Sequence, residues 1–302
     1  MQRIVAFVRL GRPLFLGGGF LLFGLGAAIA AWHGHRIEVG RYVLGQLAVT
    51  VFQLMTHYAN DYFDYEADRA NLTPTRWSGG SRVLVGGELA PRVAWIAAVV
   101  LAAIGLGLAM ALAVVAGPLA AATLAVIAIL AWEYSAPPLR LCATGAGELD
   151  TAIVVTVLVP WLGFLLQAPD LVGVEMLALA IVPLALLQFA MLLAIEFPDA
   201  VGDAATGKRT LVVRLGATRA ARLYAAITLA AYAWLPVAAV LGLPVTVALA
   251  AALPLPIAIW RVVRIADHRD PAAFERLTLF AVALLVATTA AELAAVAAAG
   301  IS

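Results

Sequence analysis

Apolar residues run along this chain in long blocks separated by short polar breaks. The blocks lie at about 14–32, 40–59, 92–114, 118–134, 148–168, 171–196, 218–240, 243–265 and 272–299. Nearly all reach the roughly 17–25 residues that a helix needs to cross a hydrocarbon core of about 30 Å. A helix satisfies its own backbone polar groups, which lipid cannot do. The pattern therefore predicts an all-α fold: a polytopic membrane helical bundle of about nine transmembrane helices around a central cavity. Residues 1–302 are read as one domain.

Composition points the same way. Hydrophobic residues make up 64% of the 302 positions and charged residues only 12%, against roughly 25% charged in ordinary soluble domains. Mean hydropathy is +1.01. The net charge of +1 carries no message about partners, and nothing points to nucleic acid. One cysteine, Cys142, leaves no internal disulfide and no cysteine-based metal site. Basic residues before the first block and the sequence Ala28-Ile29-Ala30 are also found in signal peptides. That block exceeds the usual h-region of about 7–15 residues, so it is read as the first span.

The placement of charge sets the expected topology. With nine helices, 17 of the 19 basic residues fall on the side of the N-terminus, and only Arg36 and Arg41 fall on the other. The positive-inside rule assigns the rich side to the cytoplasm, which predicts a bacterial-type inner-membrane protein with a cytoplasmic N-terminus. The glycines Gly17, Gly18, Gly19, Gly105 and Gly107 are expected to let helices pack closely.

Two breaks, near 60–91 and 196–217, collect acids and bases. The first holds Asn60-Asp61-Tyr62-Phe63-Asp64-Tyr65-Glu66-Ala67-Asp68. Asp61, Asp64 and Asp68 stand at i, i+3 and i+7, one face of a continuing helix. The second holds Asp199-Ala200-Val201-Gly202-Asp203, an i, i+4 pair. Both follow apolar spans, so both sit at the same end of the bundle. Five carboxylates brought together repel unless a cation lies between them. Oxygen ligands at this spacing suit Mg²⁺, which keeps places for water and phosphate oxygens. Arg76, Arg82, Lys208 and Arg209 stand nearby, and acids plus bases describe a site for a metal-bound diphosphate.

At these residues the chain resembles the UbiA superfamily of membrane prenyltransferases. Asn60-Asp61-x-x-Asp64-x-x-x-Asp68 is similar to that family's first Asp-rich motif, and Asp199-x-x-x-Asp203 to its second. Three further stretches look most like the 1,4-dihydroxy-2-naphthoate branch of menaquinone synthesis. They are Gly79-Gly80-Ser81-Arg82-Val83-Leu84, Tyr134-Ser135-Ala136-Pro137-Pro138-Leu139-Arg140 with Gly147-Glu148, and Gly207-Lys208-Arg209-Thr210-Leu211. Glu196-Phe197-Pro198 departs from that branch, where an Asn-rich approach is usual, and the proline is similar to the homogentisate branch. A 4-hydroxybenzoate or homogentisate-type acceptor is thus the alternative.

The resemblance implies Mg²⁺-dependent transfer from a polyprenyl diphosphate to an aromatic acid. Asp61, Asp64, Asp68, Asp199 and Asp203 are the implied metal ligands, with Asp64, Asp199, Lys208 and Arg209 carrying the chemistry. Asn60, Arg76, Arg82 and Tyr134 are implied substrate contacts, and Arg140 or Arg12 is expected to orient the acceptor's carboxylate. An apolar groove that opens to the membrane lipid is expected to hold the polyprenyl tail. Two other classes compete. A transporter places its acids near the bilayer midplane on broken helices, whereas here Glu292 is the main charge within a span. A phosphoalcohol transferase keeps its aspartates in one stretch, whereas this chain divides them between two.

Overall fold

The computed structural model describes residues 1–299, and all regular structure among them is helical. Helix α1 (Gln2–Leu10) exposes Ile4, Val5, Phe7 and Val8 while burying Ala6 and Leu10. Such a helix, with Arg3 and Arg9 beside its apolar face, suits a membrane interface. Arg9 pairs with Glu88 at 2.9 Å and ties α1 to the segment after the first acidic motif. Arg12 then takes a left-handed backbone (φ 46°), and Pro13 opens α2 (Pro13–Trp32). Proline suits this first helical position because its missing N–H has no partner there anyway.

The chain continues through α3 (Val39–Phe63), α4 (Tyr65–Ala70), α5 (Pro91–Ala116), α6 (Pro118–Glu133) and a short α7 (Leu141–Thr144). Helices α8 (Gly147–Ile153) and α9 (Val159–Leu165) are joined by a π turn over Val154–Leu158. Pro160 offers no N–H to the carbonyl four residues back, and that residue, Thr156, lies in the widened turn. Then follow α10 (Val174–Ala205), α11 (Leu211–Leu215), α12 (Ala217–Val240), α13 (Val245–Ala251), α14 (Leu255–Val263) and α15 (Phe274–Ala299).

Among the described residues, seven segments are long and apolar enough to cross a membrane: α2, α5, α8 with α9, α10, α12, α13 with α14, and α15 with the turn before it. Their outer faces are apolar; α5 alone exposes Ile96, Val100, Ile104, Leu106, Met110 and Val114. The chain is a multi-pass membrane protein. Helix α3 is 25 residues long but diluted by Gln46, Gln53, His57, Asn60 and Asp61, and α6 has 16 residues. The nine crossings expected would require both of these helices to span as well.

Glycine packing differs from expectation. A Cβ on Gly105 would stand 2.6 Å from the Phe52 ring, and one on Gly19 2.5 Å from Gln53, but Gly17, Gly18 and Gly107 face open space. The closest helix approach lies elsewhere. A Cβ on Gly26 would stand 1.9 Å from the Pro160 carbonyl oxygen, and one on Gly163 2.2 Å from that of Phe23. Each helix thus supplies the glycine that lets α2 and α9 press backbone to backbone.

Candidate active site

The first acidic motif spans a break between two helices. Helix α3 ends at Phe63, Asp64 takes φ −94° and ψ 5°, and α4 begins at Tyr65. Backbone bonds from Asp64 to Asn60 (2.8 Å) and from Asp68 to Asp64 (2.9 Å) carry the chain across. Asp64 and Asp68 line a cavity of about 260 Å³ and Asp61 does not. The face expected to carry all three divides two to one because the helix does not continue through Asp64. Asp61 is buried; it accepts hydrogen bonds from the Arg12 guanidinium and the Ser81 hydroxyl, and from the Ser81 amide at 3.2 Å.

The second motif lies inside a helix. Helix α10 runs past the expected end of its apolar block to Ala205, with Pro198 within it. The Thr73 hydroxyl donates to the Pro198 carbonyl at 2.8 Å. Asp199 accepts from the Asn71 amide at 2.7 Å and from the Gly79 backbone N–H at 3.2 Å. A Cβ on Gly202 would stand 3.0 Å from both the Ala67 carbonyl oxygen and the Asn71 nitrogen, so this glycine lets α10 meet the end of α4. The two motifs therefore share one wall. Lys208 joins them, with its Nζ 3.0 Å from Asp64 Oδ2 and 3.2 Å from Asp203 Oδ1.

Asn60 completes the rim. Its carbonyl oxygen accepts from Arg12 at 3.1 Å, and its amide donates to Asp64 at 2.8 Å and to the Ser135 hydroxyl at 3.2 Å. Tyr134 lines the cavity, and the Cys142 sulfur lies 3.8 Å from Asp64. A Cβ on Gly80 would stand 2.0 Å from Asp68 Oδ2, so only hydrogen fits there, and φ is +71°. Below this polar rim the walls turn apolar, with Leu21, Leu22 and Phe52 facing Leu192, Val282 and Val286.

The rim is short of positive charge around Asp68. Burial, together with the nearby Asp64, Asp61 and Asp199, pushes its carboxyl up to about 8 against the pull of Arg12. No described residue donates a hydrogen bond to that carboxylate. Burial pushes Lys208 down, but Asp64 and Asp203 outweigh it and hold the ammonium charged. The donor set suits a hard divalent cation, being all oxygen from Asp64, Asp68, Asp199, Asp203 and Asn60. Among the described residues no three His, Cys, Asp or Glu side chains form a ready-made metal cage. Mg²⁺ binds through one or two carboxylates and fills its shell with water and phosphate.

Of the cations singled out in the sequence, Arg12 and Lys208 reach the cavity. Arg76 is exposed, lies 5.8 Å from the centre of the Trp77 ring, and donates its backbone N–H to Glu275 at 3.0 Å. Arg82 binds the backbone carbonyl of Asp68 and so secures α4. Arg140 is half-buried outside the lining, and Arg209 is exposed, its backbone N–H donating to Ala143 at 2.8 Å. Asn71 carried no sequence signal, because an isolated asparagine in a loop reads as a turn residue. Ser81 and Ser135 stood in the quoted stretches with no role attached.

Comparison with known proteins agrees with this geometry. Residues 20–285 match the UbiA prenyltransferase family. No curated protein sequence matches the chain. Solved structures do. A digeranylgeranylglyceryl phosphate synthase structure is 16% identical with a TM-score of 0.68, over 99% of this chain and 100% of that one. A UbiA homologue from Archaeoglobus fulgidus bound to GPP and Mg²⁺ is 17% identical with a TM-score of 0.63, over 95% and 99%. An apo UbiA homologue from Aeropyrum pernix K1 is 17% identical with a TM-score of 0.62, over 90% and 96%. At such identities these likenesses establish the fold alone, whereas the family match covers most of the chain. A membrane bundle with two aspartate motifs on one cavity is what that match accounts for: the chain belongs to the UbiA prenyltransferase family and is a prenyl-transferring enzyme.

Proposed function

We propose that this enzyme transfers a polyprenyl group from its diphosphate to 1,4-dihydroxy-2-naphthoate, as menaquinone biosynthesis requires, with Mg²⁺ as cofactor. One observation carries the diphosphate half of this reading: Lys208 stands between Asp64 and Asp203 at 3.0 and 3.2 Å, above an apolar cavity wall. The Archaeoglobus homologue that binds GPP and Mg²⁺ supports the same half. The acceptor rests on the stretches around Gly79–Leu84, Tyr134–Arg140 with Glu148, and Gly207–Leu211.

In this reading Asp64, Asp68, Asp199 and Asp203 hold Mg²⁺, which when bound supplies positive charge to the diphosphate oxygens. Lys208 neutralises charge that develops on the leaving group, the kind of electrostatic stabilisation that is usually the largest catalytic contribution. Asp61 holds Arg12 in place, and Arg12 presents a buried Nε with no partner among the described residues. The apolar wall takes the tail, at about 0.8 kcal/mol per buried methylene. The allylic C–O bond breaks with its electron pair leaving on the diphosphate. A ring carbon then forms the new C–C bond, and the acceptor's carboxylate departs as carbon dioxide. Residues 1–302 act as one domain crossing the bilayer nine times. The basic residues put the N-terminus and the site on the cytoplasmic side of a bacterial inner membrane.

The test is purified protein with Mg²⁺, a labelled polyprenyl diphosphate, and dihydroxynaphthoate, 4-hydroxybenzoate and homogentisate in turn. Product with dihydroxynaphthoate alone is expected. Product with either of the others alone overturns the acceptor, and undiminished turnover in both Asp64→Ala and Asp199→Ala overturns the site.

A further inference from the structure

Three of the five motif aspartates are held by one irregular segment. Between α4 and α5, residues 71–90 carry no helix, so no backbone ladder fixes their path and other contacts must do so. The Asn71 amide and the Gly79 backbone N–H donate to Asp199 at 2.7 and 3.2 Å. Ser81 donates to Asp61, and Arg82 binds the Asp68 carbonyl. Every hydrogen bond that the Asp199 carboxylate accepts among the described residues comes from this segment.

The same segment is pinned to α15. Arg76 donates its backbone N–H to Glu275 Oε2 at 3.0 Å, and the Thr75 hydroxyl lies 3.3 Å from that of Thr278, which is fully buried. Thr75 carries the contact onward. Its hydroxyl accepts from the Trp77 N–H at 3.1 Å and lies 3.0 Å from the Ser78 hydroxyl, which accepts the Thr75 N–H at 3.2 Å. Ser78 is buried, and the next residue is Gly79, whose N–H holds Asp199. Gly79 sits at φ +71°, and a glycine has many other conformations open to it. The contacts on α15 are what keep this amide aimed. Neither Glu275 nor Thr278 lines the cavity.

We propose that Thr278 and Glu275 of α15 are positioning residues for the aspartate site, acting through the Thr75–Gly79 turn to set the orientation of Asp199. This rests on the divalent-cation reading above and deepens it. A carboxylate that takes a small cation on one side needs fixed donors on the other, because the ion tolerates little departure from octahedral geometry. Asn71 and Gly79 are those donors, and the aim of Gly79 depends on α15. Loss of the pin therefore weakens the grip on the cation and leaves the acceptor untouched. Thr278 is the buried half of the pin and Glu275 the exposed half, so Thr278 weighs more.

The experiment compares the full chain as wild type, Thr278→Val, Glu275→Ala and Glu275→Gln in detergent. Amide hydrogen exchange across residues 76–82 is read without Mg²⁺, and the Mg²⁺ concentration for half-activation is read with donor saturating. Thr278→Val should speed exchange in that stretch, and nowhere else, by about three- to tenfold and raise the half-activation concentration by a similar factor. Acceptor KM should stay within about twofold. Glu275→Ala should move both readings the same way by less, and Glu275→Gln, which keeps an acceptor oxygen, should restore them. Glu275 is exposed, so its variants hold the test even where Thr278→Val does not fold. Unchanged exchange across 76–82, or faster exchange with an unchanged Mg²⁺ requirement, overturns the positioning role alone. Wild type that turns over without any divalent cation overturns the cation reading and this role together.

Discussion

Lys208 Nζ lies 3.0 Å from Asp64 Oδ2, a contact between residues 144 positions apart. It joins the two acidic motifs at one point, since the same nitrogen reaches Asp203 at 3.2 Å. Both carboxylates are buried, so loss of the ammonium leaves like charges facing each other without compensation. Lys208→Ala is expected to lower kcat by about a hundredfold or more, the usual cost of removing a preorganised charge-stabilising donor. Steady-state turnover at saturating donor and Mg²⁺ checks this.

Asp61 and Asp64 belong to one motif yet should fail differently. Asp64 faces the cavity, whereas Asp61 is held by Arg12 and Ser81 behind it. Asp64→Ala should lower turnover by about a hundredfold or more and raise the Mg²⁺ concentration for half-activation of the residual activity. Asp61→Asn should free Arg12 and raise the donor or acceptor KM by about tenfold, with the Mg²⁺ concentration for half-activation unchanged. Metal titrations of the two variants side by side decide it; equal shifts would make Asp61 a metal ligand.

The pH dependence follows from Asp68, whose carboxyl is pushed up to about 8 chiefly by burial. Its folded value is above its unfolded one, so the folded state binds the proton more tightly. Without a divalent cation, the contribution of Asp68 to stability is therefore fully present below about pH 4 and is lost as pH rises to about 8. Mg²⁺ takes the proton's place as the compensating charge. The rise in melting temperature on adding Mg²⁺ should be larger at about pH 8.5 than at about pH 6, where the proton competes. Thermal melts in detergent with and without Mg²⁺ measure it, and an equal rise at both values would remove Asp68 from the cation site.

The contact between α2 and α9 allows a test of packing free of chemistry. A Cβ on Gly26 would fall 1.9 Å from the Pro160 carbonyl oxygen, against backbone rather than a movable side chain. Gly26→Ala should cost about 1–3 kcal/mol, as overpacking usually does. Gly107→Ala, where a Cβ meets nothing within 4 Å, should cost nothing measurable. Melting temperatures of the two variants give the comparison.

What the chain alone determined is the part that local pattern controls. Block length and composition settle membrane helices, because crossing lipid demands a run of apolar residues whatever the neighbours are. The aspartate motifs were legible from spacing, and their common cavity was legible from both lying at one end of the bundle. Tertiary structure decided what each polar side chain meets. The break at Asp64 turned Asp61 away from the cavity and into the hold of Arg12 and Ser81. Arg82 went to the Asp68 backbone and Arg76 to the surface, since a guanidinium on a loop can reach several partners and the loop path selects one. Asp150 and Glu196 reached one cavity only when α8 packed on α10. Periodicity says which face of a helix a residue occupies, but not which other helix stands opposite it.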